Sequence, residues 1–401
     1  MQSLSVPLSL TCALITSGTI VTSYQWLLYI GSLIAAIVNN ATKDRPSHSS
    51  WRIPISIQFV WALILGVGMI RVPESPRWLI TKERDEDAAR ALSRLTSLPP
   101  DHPEVLSELE EIRLSLRQEK ELSKFSYLDC FRSSNNKVRL RTITGILLPL
   151  LVQLSGVGFI GYYGTVFFLS CGIRNPFVIT IISSVILVVM TLPGMWGVEK
   201  FGRRKLLFVG SIGMCVCEFL VGIVGIKVST SNVAGQKALV ALVCLFIAFF
   251  ASTWSPVSLV VLSEIFPPDV RAKSLSLATA SNSIFDFAVA YSTPYLINKQ
   301  PGSAGLGVKV FFIWGSTCAL CFLFTYFFIP EVSLGLTHPS STHNGFQTKG
   351  LSLEEIDLLY KNTTPMRSVS YRRQLKHDGA GLTFRGKQAE QDDASEEKEK
   401  V

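Results

Sequence analysis

Residues 143–171 read ITGILLPLLVQLSGVGFIGYYGTVFFLSC and carry no charged side chain. A helix needs about 20 apolar residues to cross the hydrocarbon core of a bilayer, so this stretch is expected to span a membrane. Its middle holds Gln153, Ser155, Gly156, Gly158, Gly161, Tyr162 and Tyr163. An amide in hydrocarbon is costly unless it is hydrogen-bonded. The partner is either another helix or the contents of a wet cavity, and glycine lets a neighbouring backbone or a ligand come close. The stretch therefore reads as the wall of a pathway. The competing reading is a buried helix that uses Gln153 to hold on to its neighbour.

The pattern recurs. Apolar runs fall at 20–39, 53–72, 143–171, 177–198, 206–226, 238–262, 275–297 and 308–329, eight expected spans with charged loops between them. Only 17% of the 401 residues are charged, against about 25% in soluble domains. The fold class expected is an all-α membrane protein with the lipid bilayer as its surroundings. The net charge of +8 does not point to nucleic acid, because the basic residues gather in loops on one side of the spans. The run 71–141 holds fourteen Lys and Arg and 200–205 holds four. The positive-inside rule places these loops, and the C-terminus, in the cytoplasm. Residues 1–19 are apolar but lack the positive start of a cleavable signal. Asn40-Ala41-Thr42 falls outside as a glycosylation acceptor, and Asn362-Thr363-Thr364 inside.

No cofactor, metal site or catalytic group is expected. The loops hold no nucleophile–base pair, metal-ligand cluster or phosphate-binding loop. The eight cysteines lie mostly in apolar runs, where cysteine behaves as a small hydrophobe. This applies to Cys318 and Cys321 too, despite their CxxC spacing. Residues 79–140 are hydrophilic with a helical pattern, Val105, Leu109, Ile112 and Leu116 sharing one face. They read as short amphipathic helices under the membrane domain. Two acids lie deep in apolar runs, Glu218 and Asp286. Such residues are functional candidates, Asp286 for a substrate or proton and Glu218 for a polar partner between helices.

Four motifs close spans on the cytoplasmic side: PESPRW at 73–78, VEKFGRRK at 198–205, SEIFPPDVRAKS at 263–274, and Pro330-Glu331. They supply Glu74, Arg77, Glu199, Arg203, Arg204, Glu264, Arg271 and Glu331. Arginine–carboxylate pairs are strong and directional, so these residues are candidates for a cytoplasmic gate that latches in one conformation and releases in another.

These motifs, with QLSG…YYGTVFF and TKGLSLEE, resemble the sugar porter family of the major facilitator superfamily, fungal hexose-transporter-like members most closely. The resemblance covers about 25–360. It implies two six-helix halves with a substrate site at the midplane, worked by alternating access. On that frame 20–39 and 53–72 resemble the fifth and sixth spans, the rest resemble the seventh to twelfth, and about the first four are lacking. The implied organisation is 1–72 as the remnant of the N-terminal bundle, 73–140 as a cytoplasmic helical linker, 141–331 as the C-terminal six-helix bundle, and 332–401 as a cytoplasmic tail. Residues 332–347 interrupt the family's unbroken PETKGLSLEE and read as an in-frame unspliced intron. The implied substrate-binding residues are Gln25, Gln153, Tyr162, Tyr163, Asn282 and Asp286. Val152 stands where a second glutamine is usual, Gly158 and Asp286 where asparagine is usual, and Leu259 and Ser283 where tryptophan is common. The function implied is transport of a hexose-like sugar or a polyol at the plasma membrane, with protons as a candidate coupling ion. The alternatives are a non-transporting sugar sensor and an inactive truncated fragment. Enzymatic activity is not implied.

Overall fold

The structure, a computed structural model, describes residues 6–45, 47–122, 126–132, 137–170, 175–227, 232–267, 270–297 and 303–329. The expected tail, with Glu331 and the 332–347 insert, lies outside the described residues. The described chain is helical throughout. Its α-helices are α1 (Val6–Thr42), α2 (Ser49–Arg71), α3 (Pro76–Thr81), α4 (Asp85–Thr96), α5 (Pro103–Leu122), α6 (Val138–Leu154), α7 (Val157–Ser170), α8 (Pro176–Phe201), α9 (Arg203–Lys227), α10 (Val233–Ser252), α11 (Trp254–Ile265), α12 (Arg271–Ile297) and α13 (Val310–Phe328).

By length and composition, six helical stretches can cross a membrane: Ser49–Arg71, Val138–Leu169, Pro176–Val198, Arg203–Lys227, Val233–Ile265 and Gly307–Phe328. The two other expected runs, 20–39 and 275–297, are helical as well, inside α1 and α12. In α12 Ser, Thr, Asn and Asp side chains lower the hydropathy, and several of them bond to α6 and α7 rather than face lipid.

The core is built by α6 to α13 around Leu148, Phe159, Phe246, Trp254 and Phe311, all fully or nearly fully buried. Phe159, Phe167 and Phe311 meet edge to face and tilted, with centroids 5.3–5.6 Å apart, a preferred aromatic geometry. In lipid the backbone must satisfy its own hydrogen bonds, so helices are the economical element and any break needs partners from neighbours.

Two such breaks occur. The expected single span 143–171 divides between α6 and α7, because Gly156 takes φ +85°, a conformation open to glycine and strained for other residues. The second divides α10 from α11 at Thr253, with φ −130° and ψ −77°. Its cause is legible three residues on. Pro256 has no N–H to offer Ser252, and its ring crowds that carbonyl. The freed Ser252 carbonyl lies against α8 at Gly194, where a Cβ would come within 2.7 Å of it.

α1 lies along α8 and touches α11, and α2 packs on α1 with none of its own residues buried. Trp26 Nε1 donates to the Val188 carbonyl at 3.1 Å. The Lys43 ammonium donates to Asn175 Oδ1 at 2.6 Å and sits 5.1 Å over the Phe177 ring. In the hydrophilic segment, α3, α4 and α5 bury Leu79, Ala88, Ala91 and Leu109 together. This agrees with the amphipathic pattern read for Leu109. The Arg113–Asp85 pair at 2.9 Å joins α5 to α4, and three acids in the first turn of α4 complement its dipole.

Candidate functional site

α12 faces the broken α6–α7 pair along a polar seam. From its N-terminal end, Thr142 and Ser274 hydroxyls meet at 3.2 Å, and Ser281 Oγ donates to the Ile146 carbonyl at 3.0 Å. Gln153 Nε2 then donates to Asn282 Oδ1 at 3.0 Å. Past the break, the Tyr162 hydroxyl donates to Asp286 Oδ2 at 2.9 Å, and the Tyr163 hydroxyl to the Ala290 carbonyl at 3.0 Å. Asn282 and Asp286 stand one turn apart on α12, so their side chains share a face. Gly158 lies between them and Gln153. A Cβ there would sit 3.4 Å from Gln153 Oε1 and 3.8 Å from Asp286 Oδ1. Gly158 thus stands between two polar groups, Gln153 and Asp286.

The structure brings Gln153, Tyr162, Asn282 and Asp286 together. Tyr162 is 59% exposed, while Gln153, Asn282 and Asp286 are half-buried. Gln153 and Asn282 each keep amide valences beyond the one bond they share, and such groups both donate and accept. This is the chemistry that hydroxyl-rich molecules require. Among the described residues Asp286 is met by a phenol rather than by a cation. An open groove of about 410 Å³ continues along α12 past Leu275, Ser276, Thr279 and Ser283.

Gln25 stands apart from this cluster. It lies within hydrogen-bond reach of Tyr29, whose hydroxyl is 2.6 Å from Ser255 Oγ on α11. Tyr29 and Ser255 were not singled out from the sequence. The signal was the one-turn spacing of Gln25 and Tyr29, but Ser255 is brought in by tertiary packing alone.

The cytoplasmic motifs are drawn together in part. Arg203 and Glu264 pair at 2.6 Å, joining the start of α9 to the end of α11. Arg204 donates to the Tyr326 carbonyl at 2.9 Å, and its guanidinium lies over the rings of Phe208 and Tyr326. Arg271 donates to the Ser263 carbonyl. Arg204 and Arg271 thus meet carbonyls in these bonds where carboxylates were expected. Glu74 accepts from the backbone N–H of Ser75 at 3.2 Å and is exposed, as is Arg77. The Glu199 side chain and Glu331 lie outside what is described. The Arg203–Glu264 pair joins α9 to α11 and does not reach α1 or α2.

Neighbouring side chains close the break in α6–α7. Thr317 Oγ1 donates to the Leu154 carbonyl, and the Cys318 and Cys321 thiols approach the Ser155 and Leu151 carbonyls at 3.8 Å. Cys318 and Cys321 thus serve the helix break, and among the described residues no cluster suited to a metal ion is found.

Comparison with known proteins agrees with this architecture. The family model described as "Sugar (and other) transporter" matches residues 12–338. The chain is 43% identical to the major facilitator-type transporter ecdD of Aspergillus rugulosus over 87% of its own length and 63% of the relative's. It is 40% identical to a probable glucose transporter of Neurospora crassa, over 86% of the chain and 56% of the relative. It is 38% identical to a high glucose sensor of Saccharomyces cerevisiae, over 86% and 43%. The chain therefore spans between about two-fifths and two-thirds of the length of these relatives. Among solved structures, it is similar to the proton:xylose symporter XylE bound to 6-bromo-6-deoxy-D-glucose, with TM-score 0.62 and 26% identity over 86% of this chain and 67% of that one. It is also similar to the partially occluded inward-open XylE from E. coli, with TM-score 0.61 and 25% identity over 79% and 64%. A broken-helix bundle with a polar seam, a family model over most of the chain and solved transporters of the same fold converge on one assignment: the chain is a multi-pass membrane protein of the sugar porter family of the major facilitator superfamily.

Proposed function

We propose that this protein moves a hexose-like sugar or a polyol across the plasma membrane by alternating access. The observation that carries the reading is the seam at the α6–α7 break, where Gln153 meets Asn282 and Tyr162 meets Asp286, with Gln153 and Asp286 flanking Gly158. Gln153 and Asn282 are assigned to the substrate hydroxyls. Asp286 and Tyr162 lie on the same face one turn further on, and Tyr163 anchors α7 to α12 beside them. Gln25 contributes from α1 through Tyr29. Residues 1–72 and 141–331 rock against each other, linked by 73–140, with Arg203–Glu264 and the neighbouring arginines holding the cytoplasmic ends of the second unit. The basic loops and the C-terminus face the cytoplasm. Protons are the proposed coupling ion, supported by likeness to a structure described as a proton:xylose symporter.

The test is uptake of labelled hexoses and polyols by a transporter-null yeast expressing the chain. Saturable uptake that Asn282→Ala weakens supports the reading. Absence of uptake with the protein present at the cell surface contradicts it. A second reading, a sugar sensor, is favoured by the 38% identity to a high glucose sensor. It predicts sugar-dependent signalling to a reporter gene without uptake.

A further inference from the structure

Glu218 on α9 has no part in the seam. It is fully buried. Its Oε2 accepts from the Cys318 thiol at 3.4 Å, while Oε1 has no hydrogen-bond partner among the described residues. Its position is specific. A Cβ placed on Gly156 would meet Glu218 Oε1 at 2.9 Å and Trp314 Cγ at 2.8 Å. The break therefore has two faces. The front carries Gln153 and Gly158 toward Asp286, and the back is closed by Glu218 with Trp314 and Cys318.

The groups around the carboxyl are neutral. Cys215 and Cys217 lie within one turn of it on its own helix, and Cys318 on α13 donates to it. On α7, Tyr162 and Tyr163 turn to α12 instead. Among the other elements packed on α9, α10 carries Cys244 and, near its start, Lys237. α8 carries Lys200 and α11 carries Glu264, both near a helix end, and Lys309 precedes α13. Along α9 the nearest cations are Lys205 and Lys227, about 20 Å and 13 Å away at the helical rise. Among the described residues no cation pairs with Glu218. An ionised carboxylate here would carry its desolvation cost with no opposite charge. A carboxylic acid would not, and it would still accept from Cys318.

We propose that Glu218 is a proton-binding site at the hinge of the broken helix. It holds its proton while the break is packed against α9 and α13. It releases the proton when α7 swings away at Gly156. In that step the O–H bond breaks, the electron pair stays on the carboxylate, and the proton passes to water entering the opened cleft. The inference goes beyond the transport reading, since it does not depend on the cargo.

Two readouts on the purified full chain in lipid test it, and neither uses a sugar, so failure of the transport reading would leave the result standing. The first is the infrared carbonyl stretch of a protonated carboxylic acid. Wild type should show it at neutral pH and Glu218→Gln should lack that component. Spectra in which the wild type contributes carboxylate bands instead overturn the proposal. If Glu218→Gln does not fold, Glu218→Asp serves, with a shifted acid band expected and an unshifted one contradicting. The second is hydrogen exchange in peptides covering 156–170, compared with Glu218→Gln at each pH. From the ordinary carboxylate range up to the midpoint of the acid band, wild type should open progressively more readily than Glu218→Gln, by up to about tenfold per pH unit for one linked proton, and above the midpoint the difference should level off. Below the ordinary carboxylate range the two should match. Equal exchange at every pH would show that the proton is not tied to the hinge.

Discussion

Gln153 and Asn282 satisfy only part of each other. One Gln153 N–H and one Asn282 oxygen lone pair meet at 3.0 Å, which leaves further amide groups for a hydroxylated ligand. On this account Asn282→Ala and Gln153→Ala each weaken apparent sugar affinity by roughly 3- to 30-fold, corresponding to the lost hydrogen bonds. The measurement is KM for uptake. Unchanged KM in both variants would remove these side chains from the site. Gly156 makes a different kind of demand. Alanine there meets a positive φ and collides with Trp314 and Glu218, so Gly156→Ala should destabilise by roughly 1–3 kcal/mol. Thermal unfolding in detergent checks this, and an unchanged Tm would contradict the hinge geometry. The seam residues were legible because polar side chains are conspicuous in apolar runs. The backbone of Gly156 was not legible, since glycine is frequent inside membrane helices whether or not they break. Nor was the Tyr29–Ser255 contact, which depends on the packing of α1 against α11.

At the scale of elements, the two breaks have separate causes. Pro256 enforces the gap between α10 and α11, whereas glycine only permits the one between α6 and α7. The first is repaired by neighbours, Thr317, Cys318 and Cys321 supplying donors, and beside the second Trp254 Nε1 donates to the Leu207 carbonyl and Ser211 Oγ of α9, both at 3.1 Å. The start of α9 and the end of α11 are then tied by Arg203 and Glu264. With side chains 11% and 25% exposed, this pair is screened less than a surface bridge. Arg203→Ala or Glu264→Ala should each cost about 1–3 kcal/mol, discounted for the exposed share. The double variant should cost less than the sum. Strict additivity of the three unfolding measurements would show that the two residues are not coupled. Sequence reading named both residues among the motif arginines and acids without pairing them. The carbonyl partners of Arg204 and Arg271 escaped it, because a helix-end carbonyl has no residue signature.

For the molecule as a whole, the all-helical membrane class was legible from hydropathy, whereas eight spans were expected and six stretches among the described residues are long and apolar enough to cross a membrane, the polarity of α12 keeping it out of that count. That polarity is what lets α12 form the seam. The basic loops fix the proposed orientation, with the α3–α5 layer in the cytoplasm. Glu108 is exposed on α5, so Glu108→Cys should gain labelling by a membrane-impermeant maleimide only after cells are permeabilised. Labelling of intact cells above the wild-type level would reverse the topology. The central claim is that the α6–α7 break and α12 together hold a sugar on its way across the membrane. Its most direct test is uptake of labelled glucose by transporter-null yeast expressing the wild-type chain or the Gln153→Ala/Asn282→Ala double variant at equal surface levels. Saturable uptake that the double variant loses is the result predicted. Uptake that survives unchanged in the double variant would place the sugar elsewhere and contradict the account.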